Sequence, residues 1–308
     1  MTPSAYTEEQ IDRYLSDISL PARFQRKSNP TKNIDYLNAL HTHQLSTIPY
    51  ENLAIHYSKD HKVSLDPQKI YEKIMAGRGR GGYCMENTIF FNHVLRALGF
   101  QVYTAGARVR PRVNGIPQGD YLGWVHTVNI VTLPSGLKYM VDVSFGGDGA
   151  TAPLPLEEGI VTRSVGTQEL RLIYDSIPQQ SDKTRKLWIY QYRNGPDIAW
   201  NSYYCFPEFE FTLADLDVVN HFTSTSPACF QTFTVLVIKF LREEERICGK
   251  VMLVDGDLKR NTGGKTELVR RCETEDERVE VLREWFRIEL TQEEKVGIRG
   301  TIVELRGN

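Results

Sequence analysis

Gly77-Arg78-Gly79-Arg80-Gly81-Gly82-Tyr83-Cys84-Met85-Glu86-Asn87 sets four glycines and two arginines in front of one cysteine. Thr88 to Phe100 follows at once with apolar residues at helical spacing. Phe91, Leu95 and Leu98 fall at i, i+4 and i+7, and Gly99 is the stop. The stretch predicts a tight glycine-permitted turn that delivers Cys84 to the mouth of a helix and exposes it. Peptide dipoles at a helix N-terminus and nearby arginines both favour a thiolate, so Cys84 reads as an activated nucleophile. Gly77, Gly79 and Gly82 also satisfy G-x-G-x-x-G. A dinucleotide fingerprint should follow a strand, whereas a helix precedes this one, and no P-loop lysine follows.

Working outward, the first hundred residues predict helices. Thr7-Glu8-Glu9-Gln10 is a capping box for a helix carrying Ile11, Tyr14, Leu15 and Ile18, stopped by Pro21. A second helix starts near Asn33 and breaks at Pro49-Tyr50-Glu51-Asn52. Asp66 caps a third, with Pro67 in its first turn. Beyond Gly99 the period becomes that of strands: Val102 to Val109, Trp124 to Leu133, Lys138 to Phe145, Arg163 to Tyr174, Leu187 to Tyr192 and Ala199 to Phe206. Pro134-Ser135-Gly136 joins the second and third, and Asn194-Gly195 is the strongest hairpin turn. A short helix over Phe211 to Val219 precedes strands at Phe230 to Leu241, Lys250 to Val254 and Thr266 to Arg270. A capped helix over Thr274 to Leu290 closes the pattern. The order predicts an α+β protein in three parts: a helical bundle with the cysteine (1–98), a β-barrel (99–210), and a connecting helix with an α/β lid (211–308).

A chain of 308 residues suits roughly two domains. The net charge of −2 gives no electrostatic case for a nucleic-acid partner. No apolar run approaches the ~20 residues of a spanning helix, and the N-terminus lacks a signal layout, so a cytoplasmic protein without a membrane partner is expected. Five scattered cysteines with no C-x-x-C pair argue against a zinc ribbon or redox pair. No metal and no permanently bound cofactor are expected.

A cysteine nucleophile needs a base, and the base needs an orienting group. With a turn centred on Pro134, His126 and Asp142 lie directly opposite each other across the hairpin, with Cβ atoms roughly 4.5–5.5 Å apart. A lone strand histidine is often just a core residue. An aspartate amid Val141, Val143 and Phe145 is harder to place without a partner, because strands disfavour it and its burial is costly. His93 lies about 13 Å along the helix from Cys84, too far to be its base. Cys84, His126 and Asp142 therefore form the expected catalytic set.

Arg80-Gly81-Gly82-Tyr83-Cys84-Met85-Glu86-Asn87 resembles the R-G-G-x-C signature of arylamine N-acetyltransferases. Ile48-Pro49-Tyr50-Glu51-Asn52 is similar to the family's P-F-E-N segment, with tyrosine for phenylalanine. Gly106-Ala107-Arg108-Val109, His126, Val141-Asp142-Val143-Ser144-Phe145-Gly146-Gly147 (serine for glycine at 144), Pro153-Leu154-Pro155-Leu156 and Asn220 to Pro227 follow in order. The resemblance implies a fold of helical bundle, β-barrel and lid, with a cysteine-protease-like Cys84-His126-Asp142 triad. It implies a ping-pong transfer, and a role in xenobiotic detoxification. An acyl-CoA co-substrate would acylate Cys84, and a small aromatic amine or hydrazine would accept the group. Acetyl-CoA is the family default, and malonyl-CoA is associated with some fungal members. A malonyl group would need a cation, for which Arg108 and Arg110 are candidates. Thr104, Ala105 and Gly106 resemble the segment approached by CoA, and Tyr50 and Met85 are candidate substrate-pocket residues. The departures at Tyr50 and Ser144 are read as affecting pocket shape. Arg78 and Arg80 could meet CoA phosphates, although a brace from Arg80 to Glu51 or Glu86 is the favoured reading. The alternative activity is a cysteine hydrolase using the same triad.

Overall fold

A computed structural model describes residues 2–307. Helices dominate the first part: α1 (Glu8–Asp17), α2 (Ile34–Thr47), α3 (Leu53–Tyr57), α4 (Pro67–Ile74) and α5 (Cys84–Ala97). Their starts are those the caps dictate. Thr7 and Gln10 close a capping box on α1, Asn33 accepts from the Tyr36 N–H at 3.1 Å, and Asp66 accepts from the Lys69 N–H at 2.9 Å. Helix α5 is buried almost all round, its Phe90, Phe91 and Leu95 lying in one core with Tyr14 and Phe100.

The Pro49–Asn52 segment was expected only to break a helix. It forms β1 (Tyr50–Glu51) and then α3. Strand β1 does not stay with the helices. It pairs with a strand near the C-terminal end, so the nucleophile turn and the last third of the chain share one sheet.

The central sheet is built from β2 (Gln101–Val109), β5 (Trp124–Thr132), β6 (Lys138–Val141), β7 (Leu154–Pro155), β8 (Val161–Arg163), β9 (Glu169–Asp175), β10 (Leu187–Arg193) and β11 (Asn201–Phe206). A small ribbon of β3 (Arg112–Val113) and β4 (Ile116–Pro117) projects between β2 and β5. The order β7-β6-β5-β2-β11-β10-β9-β8 curls into a nearly closed barrel around Val128, Ile130, Leu172, Tyr190 and Tyr204. The stretch read as one strand over Arg163 to Tyr174 is a hairpin. Gly166 sits at φ +62°, and the Ser164 N–H bonds to the Gln168 carbonyl at 2.8 Å.

Helix α6 (Leu213–Thr225) leads to β12 (Leu236–Glu243), β13 (Arg246–Val254), β14 (Asp257–Asn261) and β15 (Glu267–Arg271). These complete the sheet β1-β12-β13-β14-β15, with Tyr50 opposite Ile238. Helices α7 (Glu275–Phe286) and α8 (Gln292–Gly297) follow. Leu282 and Phe286 pack on Val237 and Leu253. The architecture is α+β. Strand β14 and helices α3 and α8 were not foreseen, being too short to show a period. Phe230 to Thr232 is a single 3-10 turn, where a strand was expected.

The β5–β6 register corrects the hairpin geometry. Thr132 pairs with Lys138 and Asn129 with Val141, so the turn centres on Ser135. Strand β6 ends at Val141, short of the predicted Phe145. Asp142 ends it by accepting the Ser144 N–H on Oδ1 at 2.9 Å, a local turn that competes with the ladder. His126 has Ala107 of β2 as its cross-strand partner, not Asp142.

Candidate active site

The nucleophile turn is held from both sides. A Cβ at Gly81 would collide with the Pro49 carbonyl, and Gly79, at φ +67°, abuts the Arg287 carbonyl. Arg80 is 3% exposed and donates to Glu51 at 3.0 Å and to Glu294. Lys73 reaches Glu86 at 2.6 Å and Glu51 at 3.8 Å. Burial alone would raise the Glu51 carboxyl, but Arg80 and Lys73 hold it down at about 2. Arg80 thus braces the turn to Glu51 and α8, and Arg78 pairs with Glu294 at 3.0 Å. The Arg80 guanidinium is not left for a phosphate, whereas Arg78, 34% exposed, spends only Nη1 on Glu294.

Cys84 is the first residue of α5, as the turn predicts, but only 4% exposed. It is covered, not displayed. Its thiol donates to the Val125 carbonyl at 3.9 Å. Burial pushes the thiol up from its ordinary value, and neighbouring Cys229 pushes the same way; N–H groups at the helix mouth oppose them. Dipole and arginines do not make a thiolate here: Arg80 is consumed by carboxylates, in line with the favoured reading of it as a brace, and desolvation outweighs the dipole.

His126 and Asp142 meet although they are not paired. Nε2–H of His126 donates to Asp142 Oδ2 at 2.8 Å, both groups buried. The bond fixes the tautomer and leaves Nδ1 with its lone pair. Phe145 packs edge-on against the imidazole at 4.9 Å and Tyr204 at 5.5 Å. Burial would raise the Asp142 carboxyl, but His126, the Ser144 N–H and Tyr204 hold it below the usual carboxylate range.

Two groups that sequence reasoning did not place here also hold Asp142. Ser144 Oγ donates to Oδ1 at 3.1 Å and lies 2.7 Å from Thr88 Oγ1 on α5. The serine was read as a matter of pocket shape; it is a ligand of the carboxylate. The Asp-x-Ser spacing, which suits a side-chain turn, was the available signal. Ser144→Gly should lower kcat about tenfold, the worth of one charge-assisted hydrogen bond, with KM unchanged. Unaltered kcat would reduce Ser144 to a space filler.

His41 of α2 is fully buried and donates from Nε2 to the Asp142 carbonyl at 3.2 Å. His56 donates to the Thr234 carbonyl at 3.0 Å. Burial lowers each to about 4. Between about 6.5 and 4 the unfolded chain protonates these histidines while the folded chain does not, so stability falls as pH falls. A loss of several kcal/mol is expected across that window, ahead of the Glu51 contribution, which is lost from about 4.5 down to about 2. Urea midpoints at pH 7, 5.5 and 4.5 test this; a flat profile over that range contradicts it.

The remaining sequence candidates are packed inside. Thr104 donates to Asn129 Oδ1 at 2.9 Å and accepts from Asn92 at 3.2 Å. Ala105 faces the barrel core, and the Phe211 ring covers Gly106. None of the three offers a free group to a CoA phosphate, because α5 and Phe211 lie over them. Met85 is fully buried, with the Thr127 hydroxyl 3.8 Å from Sδ, and so lines no open surface. Tyr50 lies beside Gly146, and its hydroxyl accepts from Gln231.

Residues 33–296 match the sequence profile of the N-acetyltransferase family. An N-malonyltransferase FDB2 of Fusarium pseudograminearum is 34% identical over 96% of this chain and 93% of its own length. The chain belongs to the arylamine N-acetyltransferase family. The arylamine N-acetyltransferase of Nocardia farcinica superposes with a TM-score of 0.77 at 26% identity, covering 95% of this chain and 94% of that one. That of Mycobacterium marinum, solved in complex with CoA, gives 0.74 at 25% identity over 94% and 98%. Family membership makes this chain an N-acyltransferase. Among its described residues no helix is long and apolar enough to cross a membrane.

Proposed function

We propose that this arylamine N-acetyltransferase family member moves an acetyl or malonyl group from CoA to a small aromatic amine or hydrazine through an acyl-Cys84 intermediate, in the cytoplasm. The observation that carries the reading is the buried His126–Asp142 bond at 2.8 Å, which leaves Nδ1 of His126 with a lone pair one residue on from Val125, whose carbonyl lies 3.9 Å from Cys84 Sγ. Because burial raises the thiol, Cys84 ionises only by giving its proton to His126, with Asp142 stabilising the imidazolium. Sγ attacks the thioester carbonyl, the bond from that carbon to the CoA sulfur breaks, and the CoA thiolate leaves with the proton from His126. The amine then attacks the acyl-cysteine, His126 takes its proton, and Cys84 departs. The Cys84 N–H has no partner within the helix and is the candidate donor to the oxyanion. The CoA bound by the M. marinum relative supports the donor class. In the proposed division of labour, residues 1–98 carry the nucleophile, 99–210 the base and its orienting acid, and 211–308 the cover, consistent with removal of foreign aromatic amines.

The test is CoA release from acetyl- and malonyl-CoA at varied arylamine. Parallel double-reciprocal lines and acylated amine are expected. Release unaffected by amine, with free acid as product, would favour the hydrolase.

A further inference from the structure

Neither the base nor its acid is placed by its own strand alone. The β2–β5 ladder runs in register from Gln101 opposite Thr132 to Ala107 opposite His126, then slips by the extra residue Val125 to Arg108 opposite Trp124. Such a bulge bends the strand, here right beside His126. Asp142 lies one residue beyond the end of β6. Cys84 is on a different element, helix α5. The nucleophile helix and the His126–Asp142 pair therefore need a tie of their own.

A buried line of hydrogen bonds supplies it. It starts on α5 at Thr88, one helical turn after Cys84 and on the same face. Thr88 Oγ1 lies 2.7 Å from Ser144 Oγ and 3.3 Å from the Thr127 carbonyl of β5. Ser144 Oγ lies 3.1 Å from Asp142 Oδ1, and Oδ2 takes Nε2–H of His126. The proton direction follows. The Asp142 carboxyl is held below its usual range, so it is ionised and can only accept. Ser144 spends its one proton there and must accept from Thr88. From the same residue, the Thr88 carbonyl accepts from Asn129 Nδ2 of β5 at 3.1 Å, and Asn129 Oδ1 accepts from Asn92 of α5 at 2.8 Å. Thr88, Asn92, Asn129 and Ser144 are each no more than 4% exposed. Met85, Ile89 and Val131 make the rest of this interface part of the apolar core. A polar line inside such an interface is satisfied in one arrangement, and any slip strands a buried polar group.

We propose that Thr88 is a positioning residue for the transfer: its hydroxyl, acting through Ser144, fixes the Asp142 carboxylate, and with it the His126 ring, relative to Cys84. The inference rests on Cys84, His126 and Asp142 acting as proposed above. Ser144 cannot supply this tie by itself, because it stands two residues from Asp142 on the same loop and moves with it. Thr88 is the residue through which the carboxylate is joined to the helix that bears the nucleophile.

The experiment measures Tm, and kcat and KM with acetyl- or malonyl-CoA and one arylamine, for the wild type and a set of variants. Thr88→Val keeps the shape and removes the hydroxyl. It should lower kcat roughly three- to tenfold, the worth of one hydrogen bond, with KM unchanged. Thr88→Ser should bring kcat back to within about twofold of wild type. In a Ser144→Gly background, Thr88→Val should cost less than about twofold more, because the hydroxyl then has nothing to act through. Leu95→Ala opens a cavity about three turns along the same helix from Cys84; it should lower Tm and leave kcat within about twofold. Thr88→Ala takes the place of the valine variant if that one does not fold. Wild-type kcat in Thr88→Val, no recovery in Thr88→Ser, or a fully multiplicative loss in the double variant would each overturn the proposal. So would a kcat loss in Leu95→Ala as large as that in Thr88→Val, which would reduce the effect to general loosening of α5. Each of these results, with Cys84→Ala inactive, leaves the acyl-cysteine reading intact. An active Cys84→Ala would remove that reading, and the positioning role with it.

Discussion

Asp142→Asn should lower kcat by on the order of 10³–10⁴-fold without unfolding the protein. The size of the effect follows from who faces the carboxylate. Oδ1 accepts from both the N–H and the hydroxyl of Ser144, and Oδ2 from Nε2–H of His126. The backbone N–H of Ser144 requires an acceptor, so the asparagine oxygen takes the Oδ1 place and its NH₂ turns to His126. Nε2 must then accept, the proton moves to Nδ1, and the nitrogen meant for the thiol has no lone pair. A second readout separates this from a general disturbance. Burial raises the Cys84 thiol, so without an acceptor almost no thiolate exists at neutral pH. Iodoacetamide should alkylate wild-type Cys84 near pH 7 and the variant only in alkaline solution. Superimposable alkylation profiles would mean that His126 and Asp142 do not activate Cys84.

Arg80→Met should cost about 3–5 kcal/mol, the usual penalty for removing one partner of a buried ion pair, and lower Tm by on the order of 10 °C. Glu51 is wholly buried and would keep Lys73 at 3.8 Å as its one cationic neighbour, beside the neutral N–H groups of Leu53 at 2.7 Å and Gly81 at 3.3 Å. The double variant Arg80→Met/Glu51→Gln should be more stable than Arg80→Met alone, because no uncompensated charge remains. Differential scanning calorimetry on the two variants decides it. A role for Arg80 in holding CoA phosphates would instead raise KM for the donor at an unchanged Tm.

Much of this was legible in the sequence because it rests on local chemistry. Thr7, Asn33, Asp66 and Thr274 mark helix starts through side-chain bonds to nearby N–H groups, and Gly79, Gly81 and Gly82 mark a turn with no room for a Cβ. His126 and Asp142 stood out because a carboxylate in an apolar strand needs a partner. What was illegible depends on register and on distant neighbours. The one-residue offset of the β5–β6 turn, the end of β6 at Val141 and the bulge at Val125 change no residue type. The partnership of Tyr50 with Ile238 spans most of the chain. Thr104 was a binding candidate by resemblance and Met85 a pocket candidate as readily as a core residue, and nothing local reveals that α5 and β5 bury them. The covering of Cys84 is likewise a tertiary effect: nothing in the turn itself signals that the thiol is only 4% exposed.

The central claim is that Cys84 carries the acyl group. Brief mixing of the enzyme with acyl-CoA in the absence of amine, followed by acid quenching and peptide mass analysis, tests it most directly. One acyl group should appear on the peptide containing Cys84, vanish on adding arylamine with formation of the amide, and be missing from Cys84→Ala. An unmodified Cys84 peptide in an enzyme that still forms the amide would contradict the account.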